Sequence, residues 1–259
     1  MADTDASRDG NFVQSLERGI AVIRSFSADR PRQTLSDVAR ATGLSRATAR
    51  RLLLTLGELG YVRSVGRDFE LTARVLDIGY SYLASVGLND IVQPYLEAFS
   101  EAVHESSSVS VLDDTDIVYV ARVPTKRIMT VAIGLGSRFP AYQTSMGRVL
   151  LAELDDDEVE AIFERSDHSR VTEHTVPTAA ALLARLAEVR CNGWALVDQE
   201  LEIGVRSVAA PLRDARGTAV AAMNMSTHAG RTGLDEVRAE FVPRLLETAA
   251  LISDALALR

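Results

Sequence analysis

A single cysteine, Cys191, leaves the chain unable to close an internal disulfide, and no paired base beside it marks a thiol nucleophile. No run of eighteen or more apolar residues is present to cross a bilayer. The opening "MADTDASRDGN" is acidic and has no apolar signal core, which predicts a soluble, cytoplasmic chain with no membrane partner and with residues 1–11 a disordered tail. A nucleophile elbow, a phosphate-binding loop and a metal-ligand cluster are missing too. His168 and His174 stand six apart in a polar segment with no cysteine or carboxylate at a metal spacing. They read as surface histidines, and no metal or cofactor is expected.

What is present is 259 residues, 47% hydrophobic and 25% charged, enough for two ordinary globular domains with separate cores. Their charge is uneven. Residues 1–75 hold 12 Arg against 9 acidic residues, net +3, and the remainder holds 16 basic against 27 acidic residues, net −11. A polyanion is drawn to the first part and repelled by the second.

The arginines of the first part are placed rather than scattered. In "SLERGIAVIRSF", Leu16, Ile20 and Ile23 recur at i, i+4 and i+7 and predict an amphipathic helix ending near Phe26. Ser36 is positioned to cap a short second helix through Ala41, Gly43 supplies a tight turn, and Ser45 caps a third helix. In the third, Ala49, Leu52, Leu53 and Leu56 form one apolar stripe, with Ala47, Thr48, Arg50, Arg51 and Thr55 opposite. A helix anchored behind and polar in front, following a glycine turn, fits the recognition helix of a helix-turn-helix in a major groove. Arginine forks can grip phosphate or the O6/N7 edge of guanine, and Ala47 lets the backbone come close. In "YVRSVGRDFELT", β-type runs at residues 61–63 and 68–71 flank Gly66 and predict a wing, whose Arg63 and Arg67 can meet phosphates or a neighbouring minor groove. The candidate contacts to double-stranded DNA are therefore Ser45, Arg46, Ala47, Thr48, Arg50, Arg51, Arg63 and Arg67. The competing reading is a three-helix domain with a solvated arginine face.

In "LTARVLDIGYSYLASVG", Val75, Ile78, Tyr82 and Leu83 keep helical spacing and predict a linker helix at residues 74–87, with apolar residues suited to dimer contacts. That divides the chain into a DNA-binding domain at 12–73, the linker, and a second domain at 88–259. From Asn89 a helix precedes the β-type runs "SSVSVLD", "DIVYVARV" and "IMTVAIG". Helices follow at "MGRVLLAEL", "DEVEAIFER" and "TAAALLARLAEVRCNG", then strands "RSVAAPLRD" and "TAVAAMNMST", then a long closing helix in which Pro243 is a kink or a break. The fold class expected is α+β, an antiparallel sheet flanked by helices.

Within it, "QTSMGRVLLA" leads a polar segment into an apolar helix, so backbone N–H groups near Ser145, Met146 and Gly147 could hold a carboxylate, unless Ser145 only caps its helix. Strand alternation puts Asn224 and Ser226 on one face and Met223 and Met225 on the other, and Ser207 begins a neighbouring strand. A carboxylate also needs a cationic partner, for which Arg148 and Arg206 are candidates.

Together "SLERGIAVIRSF", "LSDVARATGLSRATARRLLLTLGELGYV", "GSRFPAYQTSMGRVLLAEL", "GWALVDQELEIGVRSVAAPLRD" and "TAVAAMNMST" resemble, in order and spacing, the IclR-type transcriptional regulators over roughly residues 12–258. The segment "VDQELEIGVRSVAAPLRD" is most similar to the branch responding to aromatic acids or β-ketoadipate-pathway intermediates. The resemblance implies a winged helix-turn-helix domain, a linker helix and a GAF-like or PAS-like effector domain, in homodimers or dimers of dimers. It also implies an effector pocket lined at Ser145, Met146, Ser207, Asn224 and Ser226, with an acidic segment at residues 197–200. Val197 stands where members often carry an acid, and Asp198 and Glu200 are the acids nearby. Met146 and Val197 suit a larger, partly apolar ligand such as an aromatic ring. The expected function is operator binding controlled by a small carboxylate. The alternatives are an enzyme using Asp198, Glu200 and a histidine for acid–base chemistry, with the N-terminal part an interaction module, and an architectural DNA binder without ligand.

Overall fold

A computed structural model describes residues 12–27, 29–79, 88–125, 133–169 and 172–258. Two compact units divide the chain, Met1–Ser85 and Val86–Arg259. The expected tail, residues 80–87 of the expected linker helix and most of the "IMTVAIG" run lie outside the described residues, whereas residues 75–79 are helical. No helix among the described residues is long and apolar enough to cross a membrane.

The first unit runs α1 (Gln14–Arg24), β1 (Arg32–Thr34), α2 (Leu35–Thr42), α3 (Arg46–Glu58), β2 (Val62–Val65) and β3 (Asp68–Leu71), the strands forming an antiparallel sheet in the order β1-β3-β2. The cap of α2 is Thr34, two residues before the expected Ser36. Its hydroxyl accepts from Asp37 N–H at 3.3 Å while the Asp37 carboxylate accepts from Thr34 N–H at 3.2 Å, a reciprocal box that satisfies two helix-end donors. Hydrogen bonds from Thr34 hold the Asp37 carboxyl below its ordinary range. Gly43, at φ +68°, ends α2 in the left-handed region that glycine enters without strain. Ala49, Leu53 and Leu56 of α3 are buried against Val22, Phe26, Val38, Ala39 and Val62, with Leu52 packed at the margin. Of the stripe expected on α1, Ile23 packs at the margin of the core, whereas Leu16 is 63% exposed and Ile20 48% exposed, and Val22 is the fully buried residue of the helix. A 3.6-residue period identifies an apolar face, not what covers it.

The second unit runs α4 (Leu88–Val103), β4 (Ser106–Asp113), β5 (Asp116–Val123), β6 (Arg138–Pro140), α5 (Ser145–Leu151), α6 (Asp156–Arg165), α7 (Ala179–Asn192), β7 (Ala195–Asp198), β8 (Val205–Arg213), β9 (Ala219–His228) and α8 (Val242–Ala257). Its six strands form one antiparallel sheet in the order β6-β5-β4-β9-β8-β7. Helices α4 and α8 pack on one face, and α5 lies on the other with α6 and α7 behind it. Met223 and Met225 fill the first face, and Asn224 and Ser226 belong to the second, as strand alternation requires. Pro243 follows a π-helical turn, Val237–Phe241, and the closing helix runs through both without a break, the widened turn taking up the residue that lacks an N–H.

Two features of this unit fix its second face. Register runs Val109↔Ala121 and then Ser110↔Tyr119, so Val120 is an extra residue, a bulge that reverses the phase of β5. Arg122 and Tyr119, three apart, consequently reach the same side. The second feature is Gly147, where α5 crosses the Ala141 turn so closely that a Cβ would stand 2.0 Å from the Ala141 carbonyl oxygen. All seven residues of α5 are buried. The Gly147→Ala variant is expected to lose about 3 kcal/mol, roughly 6–12 °C in Tm, because the obstacle is backbone. Calorimetric unfolding at the parental temperature would refute the close approach.

Candidate functional site

The N-terminal face is built by the start of α3. Ser45 Oγ accepts from Thr48 N–H at 3.1 Å, which closes the helix end and leaves the first turn pointing outward. Ser45, Arg46, Ala47, Arg50 and Arg51 are exposed and Thr48 is half-buried. Among the described residues no carboxylate pairs with Arg46, Arg50, Arg51 or the wing residue Arg67, which follows Gly66 at φ +65°. Arg63 differs: it meets Glu70 at 2.5 Å, and Arg32 meets the same carboxylate at 2.6 Å. Hydrogen bonds from Arg63, then Arg32, hold the Glu70 carboxyl below its ordinary range. The guanidinium is 68% exposed, so water and salt screen this pair. Arg63 therefore remains exchangeable to phosphate.

The second unit holds a cavity on the α5 face of its sheet. It is narrow and mostly apolar, with a free volume of about 30 Å³. The sheet register builds its floor: Val197 pairs with Ser207 and Ser207 with Ser226, and in the adjoining row Asn224 pairs with Ser108 and Ser108 with Arg122. Val197, Ser207, Ser226, Asn224 and Arg122 line the cavity, and Ser145, Gln143 and Thr144 close it from the turn before α5. Asn224 donates through Nδ2 to Ser226 Oγ at 3.1 Å. Its Oδ1 and the Ser145 Oγ are both buried with no hydrogen-bond partner in the protein. Each such atom costs about 1–3 kcal/mol, which marks the place where a ligand's polar groups are wanted.

Arg122 is the cation on this wall. It donates from Nη1 to Ser108 Oγ at 3.1 Å, and burial lowers its affinity for the proton from the ordinary value. Burial also pushes the neighbouring Tyr119 phenol up to about 12, so the ring stays neutral. A half-buried guanidinium with no carboxylate partner among the described residues gains from an anion.

Of the residues the sequence proposed for this site, Ser145, Ser207, Asn224 and Ser226 come together and six others point elsewhere. Met146 is fully buried, with Ser110 Oγ donating to its sulfur at 3.2 Å. The Gly147 N–H is taken by Thr144 Oγ1 at 3.0 Å, so the start of α5 is closed by its own cap. Arg148, 2% exposed, meets Glu200 at 2.5 Å and donates to the Tyr142 carbonyl oxygen at 3.0 Å. Glu200 also accepts from Val176 N–H at 3.1 Å. Arg206 makes a two-pronged pair with Asp198 at 2.9 and 3.0 Å and donates to the Thr232 carbonyl oxygen. These four charges answer one another. Alternation along β7 turns Val197 to the cavity and Asp198 away, and the acid that does reach the wall is Glu202, beyond the strand. Sequence reading missed Arg122, Tyr119, Gln143 and Glu202. A lone arginine within the apolar run "DIVYVARV" was a signal, although its direction depends on the bulge.

Residues 15–66 match the IclR helix-turn-helix domain and residues 80–254 match the bacterial transcriptional regulator IclR C-terminal domain. The chain is 42% identical over 239 residues to the Pca regulon regulatory protein of Pseudomonas putida, spanning 92% of this chain and 82% of that protein. A transcriptional regulator of Rhodococcus sp. RHA1, solved by crystallography, is 57% identical with a TM-score of 0.83, spanning 95% of this chain and 98% of that one. An IclR homolog of Microbacterium hydrocarbonoxydans, crystallised with 4-hydroxybenzoate, shares the fold at 23% identity and a TM-score of 0.82, spanning 93% and 98%.

Glu200→Ala tests the buried pair. It leaves the Arg148 guanidinium without its counter-charge and is expected to cost about 3–5 kcal/mol in denaturant unfolding. A loss under about 1 kcal/mol would show that Arg148 finds water or another acceptor.

Proposed function

Because the chain belongs to the IclR family of transcriptional regulators, within its aromatic-catabolism branch, we propose that a hydroxylated aromatic carboxylate in the cavity of the second unit controls operator binding by the first. The relatives are regulators rather than enzymes, which removes the acid–base reading of Asp198 and Glu200. Arg46, Arg50 and Arg51 of α3 enter the major groove beside Ser45, Ala47 and Thr48, and Arg63 and Arg67 of the wing hold phosphate or the adjacent minor groove. Two copies in a cytoplasmic homodimer read a roughly symmetric operator, joined through the segment that follows the wing.

The observation that carries the effector reading is the pairing, on one wall, of a half-buried arginine with two buried polar atoms that lack protein partners. Arg122 receives the carboxylate, Asn224 Oδ1 accepts from a hydroxyl, and the apolar wall takes the ring. A ligand with unequal affinity for the DNA-competent and incompetent states, coupled by about 1–3 kcal/mol, changes operator affinity about 5–150-fold.

Arg50→Ala is expected to weaken operator binding by about 1–3 kcal/mol or to reduce the log–log salt slope by about 1. Anisotropy titrations indistinguishable from the parent at every salt concentration would remove α3 from the groove. Arg122→Gln is expected to lower affinity for 4-hydroxybenzoate about 10–100-fold, and Asn224→Leu to abolish the response, with ligand-free operator binding unchanged in both. Parental affinities for the acid by calorimetry in both variants would place the effector elsewhere.

A further inference from the structure

Arg122 shares the cavity wall with one acid, Glu202, which comes from the loop of residues 199–204 between β7 and β8. That loop is held by its own backbone. Gln199 N–H donates to the Val205 carbonyl oxygen at 2.8 Å, Gly204 N–H to Gln199 Oε1 at 3.1 Å, and Val205 N–H to the carbonyl oxygen of Glu202 itself at 3.1 Å. Gln199 and Gly204 turn the chain at φ +61° and +86°. Glu202 is half-buried, and among the described residues no cation or hydrogen-bond donor engages its carboxylate. The sheet sets its separation from Arg122. In the order β6-β5-β4-β9-β8-β7, Arg122 stands on β5 and Glu202 enters β8, three strand spacings or about 14 Å away across the ladder. The cavity therefore has a cationic end and an acidic end, with a mostly apolar wall between them.

We infer that Glu202 is a specificity-determining residue, which admits effectors carrying one negative charge and rejects those carrying two. This rests on the effector reading above. Once Arg122 has received a carboxylate, the described lining residues hold no further cation. A second carboxylate at the far end of the ligand then shares a narrow space with Glu202, two like charges with little water and no counter-ion. A neutral far end meets no such penalty. The hydroxyl proton of the effector stays with Asn224 Oδ1, because Glu202 acts by charge and needs no hydrogen bond from the ring. Selection by repulsion excludes the wrong ligand without tightening the right one.

The test is calorimetric titration of the full-length protein with 4-hydroxybenzoate, terephthalate and the monoamide of terephthalate, 4-carbamoylbenzoate. The last two match in shape and differ by one charge. In the parent the monoamide is expected to bind at least about 100-fold tighter than the diacid, and Glu202→Gln to narrow that ratio at least about tenfold, chiefly through tighter binding of the diacid. Glu202→Asp keeps the charge and is expected to keep the ratio within about threefold. A merely structural role would weaken all three acids together and leave the ratio in place. Equal affinities for diacid and monoamide in the parent, a ratio unchanged in Glu202→Gln, or no detectable diacid binding in that variant overturns the assignment of Glu202, while binding of 4-hydroxybenzoate keeps the effector reading. Failure of the parent to bind 4-hydroxybenzoate overturns both.

Discussion

A guanidinium that is 2% exposed has to be answered by a carboxylate, and much of the second unit follows from how Arg148 is answered. Arg148 sits on a helix that Gly147 lets lie against the Ala141 turn, and Glu200 comes from the segment after β7. Their contact at 2.5 Å ties the turn before α5 to the far edge of the sheet. Val176 N–H and the Thr175 hydroxyl attach a third segment to Glu200, and the Thr172 hydroxyl donates to the carbonyl oxygen of the preceding Gln199. Two walls of the cavity, the Gln143–Ser145 turn and the end of β7, are therefore held in fixed relation by an interaction outside the cavity. Neither charge is then available to a ligand.

The role of counter-ion passes to a residue the helices do not control. Arg122 faces the cavity because Val120 is an extra residue between two regular stretches of ladder, which reverses the phase of β5. In a strand without that bulge, Arg122 and Tyr119 would stand on opposite faces. The cost of burying Arg122 is visible in its lowered proton affinity, and the neighbouring phenol, pushed up to about 12, supplies no compensating charge. The site is electrostatically incomplete by itself, a property that distinguishes a binding wall from a structural ion pair such as Arg206–Asp198.

These differences in role explain what could be read before the structure. Helix faces with strong period and a following cap, as in α3 with Ser45, Ala49, Leu53 and Leu56, carry their information locally, and so do the alternating residues of β9. β1, β6 and β7, of three or four residues, offer one or two alternations and no turn signal like the Gly66 that marks the equally short β2 and β3. Thr34 outcompetes Ser36 as a cap because Asp37 stands three residues after it and closes the reciprocal box. Arg148 and Arg206 were attractive as carboxylate partners because an arginine beside a polar segment looks available. Whether a distant acid has already claimed it is a question of tertiary contact, Glu200 standing 52 positions after Arg148.

Charge placement ties the two units to one rule. The second unit, net −10, spends most of its arginines on its own acids: Arg138 on Asp113 and Asp116, Arg190 on Asp156, Arg213 on Glu153, Arg231 on Glu105. Arg122 lies on the cavity wall with a serine for company. In the first unit Glu70 and Asp37 answer Arg32, Arg63 and Arg40, whereas Arg46, Arg50, Arg51 and Arg67 are answered by no described acid. Desolvation makes an unanswered cation expensive where it is buried and costs little where it is solvated. The exposed set can therefore wait for a polyanion at little cost to stability, while the half-buried Arg122, on a narrow cavity, gains only from an anion small enough to enter.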